Sequence, residues 1–422
     1  MLKQLTPQVA LHIVPTKQFR TIEINFHFIE PITAQSLSAR SLLASVLESR
    51  SKDFANQAAM AEQLANLYGA DFDINVSKNG EYSFLTVRLR LVDPQYLPDH
   101  PDLVIAGLHF IYQVLQRPYL IDGHFDEQLV QREQANLLAY LHSVADDKQF
   151  YANLMVQAKY YQTAAQRTPS FGDAKLIAKL TNADLVQAYQ HLFTTNKIEI
   201  EVLGDVTKQQ ILTALTDFKW PNAEINLPTI FYQQPLQPLQ NYRLYLPNMQ
   251  QAKLAMAYRV PAHFYQNDNY PAWLVTNALF GGTPMSMLFL HVREQQHLAY
   301  YADSTLDPFC GALLVQSGID SDAYEKTVAM IQQQVQNLAT GNFDQQLLVQ
   351  NQQSLINDFV THLDSPRYLL NRVLYSDILQ QSLPDATTFK QMIMAVDQQQ
   401  VQACAQQMQL QVQLCVMNEE NK

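Results

Sequence analysis

The sequence predicts an α+β protein built from two similar halves, each an antiparallel sheet with helices packed on one face. Three observations carry this. The hydrophobic pattern changes period along the chain, alternating over short runs and stepping by three and four over longer ones. The order of those runs (two strands, two helices, two strands, a series of helices, a closing strand) occurs twice. Between the two occurrences lies 221–238, which holds Pro221, Pro228, Pro235 and Pro238, is rich in Asn and Gln and keeps no period, as a linker does. The halves are therefore residues 1–220 and 239–422. Helices segregated to one face of an antiparallel sheet define the α+β class.

In the first half, 9–14 and 21–28 read as strands. The second of these places Ile22, Ile24, Phe26 and Phe28 on one face and Glu23, Asn25 and His27 on the other. Residues 34–50 step helically through Leu37, Leu42, Leu43, Val46 and Leu47, and 57–68 through Met60, Leu64 and Leu67 before stopping at Gly69. Strands 71–76 and 82–92 are joined through Ser77-Lys78-Asn79-Gly80, where Asn-Gly is a strong hairpin signal. Helices follow at 104–116, 126–144, 147–162 and 182–193, then a strand at 198–206 and a short helix near 209–218. In the second half, strands fall at 242–247, 252–260, 300–307, 311–319 and 409–417. Helices fall at 271–280, 284–294, 323–339, 344–363, 366–379 and 386–395.

At 422 residues the chain is long enough for two cores. It carries 28 Lys and Arg against 39 Asp and Glu, a net charge of −11, so no basic excess exists to neutralise phosphates and nucleic acid is not expected as a ligand. No apolar run approaches the roughly 18 residues of a membrane span, and the first residues show no secretory signal pattern. Cys310, Cys404 and Cys415 form no spaced pair, so a reducing, cytoplasmic setting and buried thiols are expected. With 11 glycines, no P-loop and no Gly-x-Ser-x-Gly elbow, phosphate cradles and hydrolase nucleophiles lack a local signature.

The most informative stretch runs from Phe280 to Tyr301. Gly281 and Gly282 close one helix, where a left-handed or tight turn needs no Cβ. Thr283 caps the next, Pro284 takes its first position, and Met285, Leu288, Phe289 and Val292 form its buried face. Arg293 and Glu294 stand near its end, and Ala299 and Tyr300 enter a strand. This stretch resembles the signature of the C-terminal half of the M16 (insulinase- and pitrilysin-like) metallopeptidases, roughly Leu-Gly-Gly-x-x-x-Ser-x-Leu-Phe-x-x-Val-Arg-Glu-x-x-x-Leu-Ala-Tyr. The resemblance implies LuxS/MPP-like halves that close as a clam shell around a chamber admitting unfolded peptides. It gives Arg293 and Tyr300 the role of reaching across to hold substrate.

An active M16 peptidase carries His-x-x-Glu-His on its first helix. The two His bind zinc, the Glu is the general base, and a later Glu completes the metal shell. Here Arg50-Ser51-Lys52-Asp53-Phe54 lines up with the turn that follows the family motif. Counting back places Ser41 and Ser45 at the two His positions and Ala44 at the base, and Tyr140 falls at the third ligand. A methyl group abstracts no proton, and serine hydroxyls are poor zinc ligands beside imidazole. No register slip restores the motif, because between Glu30 and His100 there is no histidine. Elsewhere, His124–Glu127 and His291–Glu294 are followed by Gln128 and Gln295 where a second His is required. His291, Glu294 and His297 drift around a helix, and His124 and Glu127 with His142 and Asp146 make only an improvised cluster.

The resemblance therefore points to a non-catalytic M16B-type member that needs no cofactor, whereas its active relatives hold zinc. It implies pairing with a sibling that keeps His-x-x-Glu-His, or a self-dimer, and binding of unfolded peptide. The family name of the bacterial non-catalytic type associates it with modification of elongation factor P. A stand-alone peptide-binding scaffold and, last, a metallopeptidase with a relocated site are the alternatives.

Overall fold

The computed structural model describes residues 2–266 and 268–419. The chain forms two compact units. The first holds the chain up to 142 together with 168–228 and 363–381; the second holds 143–167, 229–362 and the chain from 382 on. The change at Pro228/Thr229 falls inside the proline-rich stretch. Two helical stretches, 143–167 and 363–381, nevertheless belong to the unit built mainly by the other half of the chain. A hydrophobic period gives a helix its apolar face and says nothing about which sheet that face meets.

The first unit is built on a six-stranded sheet, ordered β1 (Leu2–Thr6), β2 (Val9–Pro15), β8 (Lys197–Gly204), β3 (Thr21–Pro31), β5 (Tyr82–Val92), β4 (Asp71–Asn79). A separate two-residue hairpin pairs β6 (Leu120–Ile121) with β7 (His124–Phe125) across Asp122 and Gly123, both at positive φ. Neither β1 nor this hairpin is among the expected strands, although Asp-Gly is itself a hairpin signal. The Asn-Gly hairpin forms with its turn one residue on. Asn79 pairs with Tyr82, so Gly80 (φ +54°) and Glu81 are the loop, and glycine takes the first central position as a II′ turn requires.

The apolar face of β3 behaves as its alternation predicts: Ile22, Ile24, Phe26 and Phe28 are fully buried, in one core with Leu42, Leu43, Val46 and Leu47 of the helix Ala34–Ser49. Thr33 caps that helix in a reciprocal box with Ser36. The other face of the sheet is the surprise. Glu23, Asn25 and His27 of β3, His12 of β2, Glu199 and Glu201 of β8 and Thr86 of β5 are all buried. The helix Pro366–Ile378 packs against β8.

The second unit has a five-stranded sheet, ordered β11 (Ala299–Asp307), β12 (Ala312–Ile319), β10 (Ala252–Arg259), β13 (Gln409–Asn418), β9 (Gln240–Leu246). Ala255, Ala257, Leu414 and Val416 share a core with Ala152, Val156 and Tyr160 of the helix Lys148–Tyr160. Neither sheet is wholly antiparallel, as expected from sequence: β2 runs parallel to β8, and β13 to β9. Both parallel pairs join strands far apart in sequence, where long crossovers replace the hairpins that force antiparallel pairing. The three cysteines are buried and form no disulfide among the described residues. No helix is long and apolar enough to cross a membrane among the described residues.

Candidate functional site

The helix Ala34–Ser49 is buried along almost its whole length, because it packs on β4 and against the helix Asn182–Thr194 and its neighbours. Its polar residues are therefore tied down. Arg40 is fully buried, and its guanidinium donates to the Phe28 and Ser83 carbonyls and to Asn196 Oδ1, with Glu30 Oε1 at 3.4 Å. Burial lowers its pKa, and Glu30 partly offsets this. Ser41 Oγ donates to the Ser170 carbonyl at 3.0 Å, and Ser45 Oγ to the Ser41 carbonyl at 3.4 Å. Ser38 Oγ accepts from the Asp173 amide at 3.0 Å. A Cβ on Gly172 would stand 2.8 Å from Ser38 Cα, so the segment 170–173 lies tightly on the face that carries Ser38 and Ser41.

Tyr140, on the helix Glu127–Ser143, meets that same segment: its ring packs edge-on to Phe171 with centroids 5.7 Å apart, and the residue is 50% exposed. The structure thus brings Tyr140 and Ser41 to one segment. One turn later on the first helix, Ser49 Oγ donates to Glu133 Oε1 at 3.0 Å. Glu48 accepts the Ile74 amide, and burial pushes its carboxyl up to about 7. These residues do not fit a zinc ion. One hydroxyl is spent on a carbonyl, Ser45 is bound within its own helix, Ala44 offers no donor and Tyr140 is half out in solvent.

In the second unit the glycine pair has a different reason from the one its sequence suggests. Neither Gly281 nor Gly282 has positive φ. A Cβ on Gly281 would lie 2.7 Å from both Ser304 N and Ser304 Oγ, and one on Gly282 2.6 Å from Asn277 Nδ2. They are small so that β11 can close on the chain. After the helix Tyr270–Asn277 the backbone widens into π-type turns, Ala278–Gly282 and Leu288–Gln295, in place of two regular α-helices. Thr283 does not cap the next helical stretch, which starts at Leu288 with Met287 as its uncapped N-cap; its Oγ instead accepts from the Met285 amide in the turn between them.

Arg293 ends on the surface over the Phe289 ring, 4.7 Å from its centroid, and its Nε lies 3.5 Å from Glu294 Oε1. His297, at φ +51°, turns the chain into β11. Tyr300 follows, 56% exposed, its hydroxyl donating to Asp320 Oδ1 at 3.3 Å. β11 packs directly on the turn that carries Arg293. Both side chains are thus mounted on packed backbone with their polar ends uncommitted or weakly held.

The description "Peptidase M16 inactive domain" matches residues 179–355. A Bacillus subtilis (strain 168) protein named "Probable inactive metalloprotease YmfF" is 30% identical over 368 residues, 87% of this chain and 86% of that protein. The chain belongs to the M16 peptidase family. Its fold superposes on a conserved protein from Enterococcus faecalis V583 with a TM-score of 0.93 at 32% identity, covering 99% of this chain and 98% of that one. An M16 inactive-domain protein from Pseudomonas fluorescens gives 0.77 at 16% identity, with 99% and 98% covered. These matches support the chain as an inactive M16 metalloprotease homologue.

Two features of this M16 chain escaped sequence reasoning. His124, Glu127, His142 and Asp146 do not assemble: among the described residues, the one group of three or more potential ligands within reach of a single ion is His12, Glu199 and Asp377. The second is the buried polar layer itself. His12 Nε2 pairs with Glu199 Oε2 at 2.9 Å, and His27 Nε2 with Glu201 Oε2 at 2.9 Å, the His27 ring also reaching Thr86 Oγ1. The alternation in 21–28 placed His27 on the polar face but gave no sign that this face is covered.

Proposed function

We propose that this chain is the non-catalytic member of a two-chain M16 peptidase, pairing with a zinc-bearing sibling and supplying Arg293 and Tyr300 to hold an unfolded peptide in a shared chamber. One contrast carries the reading. The positions for metal and base hold a methyl group and hydroxyls engaged elsewhere, while the Arg293–Tyr300 element keeps its residues, its rigid mounting and its solvent-facing polar ends. A planar guanidinium and a phenol suit recognition of peptide carbonyls and carboxylates. A cytoplasmic setting belongs to the same proposal and agrees with three buried thiols that form no disulfide among the described residues. So does a role beside elongation factor P modification, which rests on the resemblance alone.

The test is an affinity pull-down of the chain from extract of its own cells, with mass spectrometry of what stays bound in equal amount. A stoichiometric partner of similar size carrying His-x-x-Glu-His is the expected result. Recovery of the chain alone or as a self-dimer refutes pairing and leaves a peptide-binding scaffold.

A further inference from the structure

We propose that His12, Glu199 and Asp377 form a binding site for a divalent transition-metal ion on the polar face of the first unit's sheet, distinct from the family's zinc position on the helix Ala34–Ser49. The three residues come from β2, β8 and the helix Pro366–Ile378, with no local motif to announce them. One ligand atom from each lies within 4.8 Å of the others. Donor atoms around a four-coordinate zinc at its usual bond lengths stand roughly 3.3 Å apart. The His12–Glu199 pair, at 2.9 Å, is already at that spacing. Asp377 is the least buried of the three and sits at the end of its helix, so a side-chain rotation closes the remainder. One imidazole and two carboxylates suit zinc or manganese.

Two further observations point to a cation here. Glu201, the partner of His12 across the β2–β8 ladder, is 0% exposed, and its Oε1 has no hydrogen-bond partner. A buried carboxylate oxygen without a donor is costly unless positive charge stands near it. The site also opens to a cavity of about 450 Å³ lined by Glu199, Asp377, Lys197, Tyr82 and Asn226, which supplies an entry path and room for coordinated water.

Burial opposes the charge on His12, but its hydrogen bond to Glu199 and the charges of Glu199, Asp377 and Glu201 outweigh it, and its pKa is raised. Burial raises Glu199 as well, against the lowering effects of His12 and Lys197. Lys197 Nζ, 3.8 Å from Glu199 Oε1, is the competing cation that a metal displaces. A metal takes imidazole and carboxylate ligands in their deprotonated forms, so affinity at any such site rises with pH.

The test is calorimetric titration of the full chain, stripped with chelator, using zinc chloride or manganese chloride alone. About one ion per chain is expected, with Kd near or below 10 µM at pH 8, and at least tenfold weaker binding at pH 6. Asp377→Asn and His12→Gln should each weaken binding at least tenfold. Melting temperatures in chelator show whether each variant is folded; Asp377→Asn, on the less buried element, decides the matter if His12→Gln is not. Absence of binding by either metal at about 100 µM overturns the proposal. Binding left within twofold in folded Asp377→Asn also overturns it, since the ion is then elsewhere.

Discussion

Replacing Arg293 by Ala separates substrate contact from structural support. The side chain is 43% exposed and makes two internal contacts, the Phe289 ring at 4.7 Å and Glu294 at 3.5 Å. An exposed cation–π contact is worth about 0.5–1 kcal/mol, and an exposed ion pair between neighbours still less. Arg293→Ala is therefore expected to cost no more than about 1 kcal/mol of stability. A charge-assisted hydrogen bond from Arg293 to bound peptide is worth about 1.5–3 kcal/mol, or roughly ten- to hundredfold in kcat/KM. Tyr300→Phe removes only the hydroxyl that reaches Asp320 at 3.3 Å, and a severalfold loss is expected. The assay is cleavage of an unfolded peptide by the pair of this chain with its zinc-bearing sibling, beside size-exclusion and thermal melts of each variant pair. Processing within twofold of the unmodified pair refutes the substrate-holding role. A loss of processing that tracks a fall in melting temperature refutes the claim that Arg293 acts at the substrate and not in the fold.

Two structural predictions follow from the same geometry. Burial raises the Glu48 carboxyl from its ordinary 4.5 to about 7, so the folded state binds this proton more tightly than the unfolded state. Its stabilising effect is full below pH 4.5 and lost as pH rises through 7, worth about 3 kcal/mol at most. Glu48→Gln should flatten that dependence and stabilise the chain at pH 8, read by urea unfolding at pH 5 and pH 8; an unchanged slope sinks the assignment. Gly281→Ala places a methyl 2.7 Å from Ser304 N and should cost about 1–3 kcal/mol in the same unfolding experiment, although its backbone angles suit alanine. A neutral result there would mean that β11 yields more readily than its packing indicates.

What could be read from the sequence was what local period and local turn chemistry control. The alternation of Ile22, Ile24, Phe26 and Phe28 found the core face of β3, and the Gly-Gly pair marked the tight approach before Arg293, though for closeness to Ser304 and not for a left-handed turn. The lack of any histidine between Glu30 and His100 was legible too, because a ligand type that is missing needs no structure to be seen. Out of reach was whatever depends on which surfaces meet. The helices within 143–167 and 363–381 have ordinary amphipathic patterns, and nothing in them names the sheet they cover. Thus Glu23, Asn25 and His27, which alternation marks as polar, are buried.

That buried layer is hard to explain as a stability device. Pairs of buried charges contribute little over apolar residues of similar size, because desolvation consumes most of the Coulomb gain. The two His–Glu pairs differ in a telling way. His27 is satisfied at both ring nitrogens, by Glu201 Oε2 and Thr86 Oγ1, and Asn25 also donates to Glu201 Oε2, so the imidazole at that end of the layer is fully held although Asn25 Oδ1 has no partner. At the other end His12 and Glu199 face Asp377 and a solvent-connected cavity, and the neighbouring Glu201 keeps an oxygen with no donor. A purely structural layer has no use for an excess of carboxylates concentrated where the cavity opens. An ion-binding end has, since the hydrogen bonds around His27 then fix the strands that carry its ligands while the open end admits the ion.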